Sequence, residues 1–363
     1  MKRVATMQVV STNSTAQTGR PRRGRAVRYA VCAVLLLSST PSGQGGSSLP
    51  KPAVPWVEAR APEAFTSDQP GSQPHVTAKY RIDADVLLPL GVGSIRLTTR
   101  RDAGSAALLV KEYGARTGET IRAYEFVAFS VPERAHRIDR LGFFWEAQAT
   151  TPQGANWTAY FGGVTLSREK TADEMQQQSF RYEVIDGLTT EREAIATIYR
   201  VPSGPRRTSP LDLYSQMRPF LQTSKPHRSH RIVNQRLQST AAFLGAIDAT
   251  LQAVVFRHAQ PPLKESFVYG AQKRSLELLA IERDADAGRT FAESGWKGDP
   301  EIVHALTYRT IAESTNVAAE FRIWIDVPKA PPPISESTPA VAVPIAFEVR
   351  PRAFLRLRFT RTG

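Results

Sequence analysis

Few places in this sequence bring together residue types that do chemistry. Glu133-Arg134-Ala135-His136-Arg137-Ile138-Asp139 crowds acid, base and imidazole beside the apolar Leu141-Gly-Phe-Phe-Trp145. Glu133 or His136 is therefore a candidate general acid or base, and a hydrolase is one reading of the chain. A charged hairpin loop accounts for the same residues more simply. Of the six histidines, only His227 and His230 lie close together. A spacing of three brings two imidazoles to one metal on a helix, but no third ligand is near. Lys225, Arg228 and Arg231 would also repel a dication, so a solvated loop is expected there. Gly-x-Gly-x-x-Gly after a strand, a phosphate loop and Gly-x-Ser-x-Gly are all missing, which removes support for nucleotide chemistry and the common esterase layout. The reading leans away from an enzyme: no catalytic residue, no metal ligand and no cofactor is assigned.

Two other concentrations point to binding. Tyr124, Phe126, Phe129, Phe143, Phe144, Trp145, Trp157, Tyr160 and Phe161 fall within 38 residues. Neighbouring residues of a strand face opposite sides, so Phe143, Phe144 and Trp145 cannot all enter one core. A two-layer core is the plainer account. The sharper one is an apolar cavity in the mouth of a curled sheet, with Phe126, Phe129, Phe143, Trp145, Trp157 and Phe161 as candidate ligand-binding residues for an acyl chain or another amphipathic molecule. The second concentration closes the chain, where Arg350, Arg352, Arg356 and Arg358 form a candidate basic surface for an anionic envelope polymer.

The elements that must position these residues are mostly strands. Tyr80, Ile82, Ala84 and Val86 alternate with charged residues; after a Pro89 to Gly93 turn, Ile95 and Leu97 continue the dry face of a hairpin. Period two recurs at Ile121–Phe129, Asn156–Leu166, Glu193–Val201, Ile247–Val255, Leu276–Glu282, Ile302–Thr310 and Glu320–Val327. The segment from Val343 reads as one closing strand, apolar at odd positions and charged at even ones, with Pro351 marking an edge, bulge or corner and Phe354 breaking the phase. Ile82-Asp-Ala84 and Ile247-Asp-Ala249 match by coincidence, each within a predicted strand. Helix signals are fewer: a capping box at Thr171 to Glu174, Ser209-Pro210 opening a helix through Phe220, and helical spacing over Ser229 to Leu244. The expected fold is mainly β, a large curled antiparallel sheet or half-barrel with a few short helices covering one side.

The N-terminus reads as an address. Residues 1–43 carry seven bases and no acid, and Tyr29 to Leu37 is an uncharged run of nine followed by small residues. That is the layout of a signal peptide, and it is far short of the ~20 residues needed to span a bilayer. Residues 44–74, with six prolines, read as a flexible tether. Residues 75–363 read as one β-rich domain with an insert-like helical segment about 204–244. Cys32, the one cysteine, lies in the apolar run, so the mature chain holds no thiol. Removing the leader reduces the net charge from +13 to +6, with 40 bases against 34 acids, an ordinary surface. Nucleic acid is therefore not an expected partner, and the mature chain is expected in the periplasm or secreted.

The leader, Tyr80-x-Ile82 running into Ser94-Ile-Arg-Leu97, and the terminal pairing of FRIWID with VPIAFEVRPRAFLRLRF resemble a group of uncharacterised exported bacterial envelope proteins. Those proteins share the unclosed, half-barrel sheet of the periplasmic lipoprotein carriers. The resemblance implies a concave sheet with helices in its mouth, a greasy pocket and no catalytic residues. The functional expectation is an exported envelope protein that binds a lipid-like or amphipathic ligand or assists envelope assembly. Docking on anionic envelope polymers is the alternative.

Overall fold

The alternation around Tyr80 becomes a strand, Val76–Pro89 (β1), in the computed structural model. It describes residues 76–89, 94–114, 120–131, 134, 141–149, 159–166, 182–189, 193–201, 228–233, 242–269, 272–312, 317–328 and 341–362. Seven further strands follow: Ser94–Gly114 (β2), Thr120–Ser130 (β3), Leu141–Ala149 (β4), Ala159–Leu166 (β5), Tyr182–Thr189 (β6), Glu193–Val201 (β7) and Arg228–Val233 (β8). Helix α1, Phe243–Arg257, then leads to Leu263–Tyr269 (β9) and Gln272–Arg283 (β10). Helix α2, Ala285–Glu293, precedes Val303–Ala312 (β11), Val317–Asp326 (β12), Ala346–Arg352 (β13) and Leu355–Arg361 (β14).

All 14 strands form one sheet, in the order β8-β7-β6-β5-β4-β3-β2-β1-β14-β13-β12-β11-β10-β9. Every pairing is antiparallel. It is thus two meanders, β1 to β8 and β9 to β14, joined where Ile82 faces Phe359 and Ala84 faces Leu357. The sheet curls until it nearly closes into a barrel. Phe144 of β4 and Tyr269 of β9 stand nine places apart in the strand order, yet their ring centroids are 6.0 Å apart.

Its concave face carries one continuous apolar cluster, including Tyr80, Phe126, Phe144, Phe161, Ile185, Leu276, Leu306, Phe321 and Phe359. About eight strands close around a space that their own side chains can fill, and a wider sheet needs further filling. Here α1 supplies it, with Ala246, Leu251, Val254 and Val255 buried in the same cluster. Helix α2 packs on the convex face instead, where Phe291 meets Trp324 edge-on at 5.9 Å beside Val303, Ala305, Ile345 and Ala346. Among the described residues, the expectation of helices on one side is therefore refined to one helix on each face.

Four sequence expectations are corrected. Ile247–Val255 is helical, because its apparent alternation belongs to a helix buried on every side, with no polar face to display period 3.6. The two Ile-Asp-Ala matches accordingly lie in a strand and a helix. The helix expected from Ser229 is strand β8 through Val233, and α1 starts at Phe243. The closing segment is a hairpin: the register between β13 and β14 shifts between Val349 and Arg352, around Pro351, and the chain turns at Ala353 and Phe354. Ile95 and Leu97 are 53% and 59% exposed, so the dry face of the first hairpin does not reach them. The predicted leader and tether, the helices at Thr171 and Ser209, and the residues Glu133, His136, His227 and Trp157 lie outside the described residues.

Candidate functional site

Helix α1 has the composition of a core, FLGAIDATLQAVVFR, and only Asp248, Gln252 and the last residue, Arg257, interrupt it with strongly polar groups. Its first turn leaves amide groups without intrahelical acceptors, and the capping position is Ala242, whose side chain cannot accept. The acceptor comes from the barrel wall. Glu146 of β4 points inward and takes hydrogen bonds from the amides of Ala242 at 3.1 Å, Leu244 at 2.7 Å and Gly245 at 2.9 Å. Gly245 permits this approach, since a Cβ there would lie 2.5 Å from Oε1 of Gln148 and 2.7 Å from Oε1 of Glu146.

One turn further along, Asp248 meets β3. Its Oδ2 accepts from the Tyr124 hydroxyl at 2.6 Å, from Nη1 of Arg122 at 2.9 Å and from Nε2 of Gln252 at 2.6 Å. Arg122 also holds Glu112, with Nε at 3.0 Å. On the opposite wall, Thr250 shares a 3.0 Å hydrogen bond with the hydroxyl of Tyr308. Polar contacts thus tie α1 to β3, β4 and β11, while Phe243 packs on Phe267 at 5.3 Å and Phe321 at 6.2 Å.

Burial sets the protonation balance. It pushes the Glu146 carboxyl up to about 8, against the pull of the three amides, with Asp248 adding to the rise. It also pushes Asp248 above the ordinary carboxylate range, opposed by the Tyr124 hydroxyl and by Arg122. Burial pulls Arg122 down, but Tyr124, Asp248 and Glu112 around it outweigh that and hold it above its ordinary value. These groups satisfy one another across the helix and barrel wall. The arrangement is a seat for a buried helix, with charge matched to charge where water is excluded.

Around this seat the lumen is aromatic. Phe347 and Phe359 stack at 4.1 Å, Phe126 meets Phe347 at 5.6 Å, Tyr80 meets Phe347 at 5.4 Å, and Phe161 meets Tyr269 at 6.1 Å. Of the six aromatics named from sequence, Phe126 and Phe161 line this interior. Trp145 is buried on the other face, lying flat against Gly162, its cross-strand partner, where a Cβ would come within 2.2 Å of the indole. Phe129 alternates with interior Ala128, so its strand position is that of the convex face. The sequence-predicted set is thus divided between two faces. Phe144, Tyr269, Phe347 and Phe359 join the interior in its place, together with Tyr124, Glu146 and Asp248. Asp248 and Gln252, polar and four apart inside an apolar run, were the available signal for the seat.

The predicted basic row is divided too. Arg350 and Arg352 are exposed, with Arg352 5.7 Å from the ring centroid of Phe354. Arg356 donates to Asp85 of β1 at 2.8 Å, and Arg358 donates to Glu348 of β13 at 3.2 Å. Of the histidine pair, His230 falls within β8. Among the described residues there is no group of three His, Cys, Asp or Glu side chains placed to hold a metal, and no helix long and apolar enough to cross a membrane.

The fold defines a class: a mainly β, nearly closed antiparallel barrel with a helix in its lumen. No protein-family model matches the chain, and no curated protein is similar to it. Among solved structures it is similar to the crystal structure of a β-barrel-like protein of the domain of unknown function DUF1849 from Brucella abortus. The identity is 6% and the TM-score 0.37, over 80% of this chain and 98% of that one. A likeness of that size carries no argument about this chain, and the barrel rests on its own strand pairing.

Proposed function

We propose that this chain is an exported cell-envelope protein that takes a lipid-like or amphipathic molecule into its lumen, or assists envelope assembly by holding one. One observation carries the reading: the barrel is too wide for its own side chains and is filled by a helix whose N-terminal cap belongs to the wall. Aromatic rings then line the space that α1 occupies, which suits an acyl chain if the helix shifts. The sequence of residues 1–43 supports export. The half-barrel carriers that the sequence resembles supply the type of ligand, an acyl-bearing molecule. Docking on anionic polymers loses weight, because Arg356 and Arg358 are already engaged by Asp85 and Glu348.

Native mass spectrometry and solvent extraction of the protein purified from a bacterial host test this directly. A hydrophobic molecule should copurify at close to one per chain. Finding the chain free of any such molecule, and unable to take up a fluorescent fatty acid, overturns the reading.

A further inference from the structure

Four of the five large apolar side chains most exposed on the described surface gather at one end of the barrel. Leu88 is 46% exposed, Ile95 53%, Leu97 59% and Phe354 46%; the fifth, Leu279 at 37%, lies on β10. Leu88 and Ile95 are direct cross-strand partners on one face of the β1–β2 hairpin, and Leu97 is the extra residue of the bulge just beyond them, where Val86 faces Thr98 and Leu87 faces Arg96. Phe354 sits at the turn between β13 and β14. Its carbonyl accepts a 2.8 Å hydrogen bond from the amide of Leu87, which fastens the two hairpin ends side by side.

Cations frame this patch. Arg96 stands between Ile95 and Leu97, Arg100 and Arg101 follow on β2, and Arg350 and Arg352 precede Phe354 on β13; all five are exposed. Arg96, Arg100, Arg101 and Arg350 have no acidic partner among the described residues. The nearby acids are spent: Asp85 is buried between Thr99 and Arg356, and Glu348 is held by Arg358. No acid occurs from Val86 to Arg101 or from Val349 to Gly363. Exposed apolar residues in a ring of arginine are mismatched to water and to a soluble polyanion, which has no use for the leucines. They fit a surface that is anionic outside and hydrocarbon just beneath.

We propose that the barrel end built by the β1–β2 and β13–β14 hairpins docks on an anionic lipid surface. Leu88, Ile95, Leu97 and Phe354 enter the acyl boundary, and the arginines meet the headgroups. Nothing in this requires a ligand in the lumen, so it stands or falls separately from the function proposed above.

The test is sedimentation of the full chain with unilamellar vesicles of phosphatidylglycerol and phosphatidylcholine in equal parts. Each variant is compared with wild type in the same chain, so that any contribution of the basic N-terminal segment cancels. Wild type should bind these vesicles and bind pure phosphatidylcholine at least tenfold more weakly, and half-molar salt should weaken binding about tenfold. Ile95→Ser with Leu97→Ser and Phe354→Ser should lose at least tenfold in affinity while keeping the wild-type melting temperature. Arg96→Gln with Arg100→Gln and Arg350→Gln should lose a similar factor, and Leu279→Ser should change nothing. In Leu97→Trp, indole fluorescence should shift blue on vesicle addition and be quenched by brominated acyl chains. The proposal is overturned by an apolar variant that binds as well as wild type, which would make the arginines a polyanion site alone. It is equally overturned by a dimer that the same variant dissolves without any vesicle binding, which would make the patch a contact between copies.

Discussion

Helices α1 and α2 lie on opposite faces of one sheet, and they are started by opposite means. α2 carries its own cap: Oδ1 of Asp284 accepts from the amide of Ala287 at 2.9 Å, and Oδ2 accepts from the Trp324 indole at 2.9 Å. Its outer side bears Asp286, Arg289 and Glu293, and a single aromatic, Phe291, anchors it below. α1 has no cap of its own, no wet face, and a carboxyl group from another strand at its first turn. A helix on the convex face is specified by its own sequence, whereas a helix in the lumen is specified by the wall around it.

That contrast can be broken first at Gly245. Gly245→Val places carbon where Gln148 and Glu146 already stand, and should cost about 3 kcal/mol or more, read as a lowered urea midpoint. Next in size, Glu146→Ala leaves three amides in an apolar interior and should cost about 3 kcal/mol, with Glu146→Gln recovering part of it. Retention of wild-type stability by Glu146→Ala would show that α1 does not depend on the wall.

The pH profile sharpens the same point. Because burial raises Glu146 to about 8 from an ordinary 4.5, the folded state holds a proton that the unfolded chain releases. Its contribution is complete below about pH 4.5 and is lost as pH rises toward 8, on the order of 3 kcal/mol, with Asp248 acting in the same direction. Asp85 and Glu277, both held below their ordinary values, work the other way in acid. The difference between wild type and Glu146→Gln therefore isolates the lumen, and a difference that stays flat from pH 5 to 8 would refute the assignment. The smallest effect belongs outside: Asp284→Ala should cost about 1 kcal/mol, an ordinary cap loss, read as a small drop in the urea midpoint.

How much of this was legible follows from which faces meet water. β1 and β11 were readable because one side is wet, so Tyr80 and Ile82, or Leu306 and Tyr308, alternate with polar neighbours. α1 was not, because enclosure removes the polar side that marks a helix, leaving Ile247, Ala249 and Leu251 to imitate a strand. The aromatic density was plain, but its division into an interior set with Phe161 and a convex Trp145 over Gly162 depends on strand parity and register, which composition does not carry. The arginine row was equally plain, and the neutralisation of Arg356 and Arg358 within it was not. Asp85 lies 271 residues from Arg356 along the chain and meets it only through the β1–β14 pairing.

That pairing also sets a clock. Every other neighbour in the sheet is the next strand in the chain, so twelve of the thirteen pairings can zip up locally as two growing ribbons, while the seam of β1 with β14 must wait for its distant partner. Until then β1 offers an open edge to any passing strand, a window for misassembly that a circular permutant joining β14 to β1 through a short linker would close.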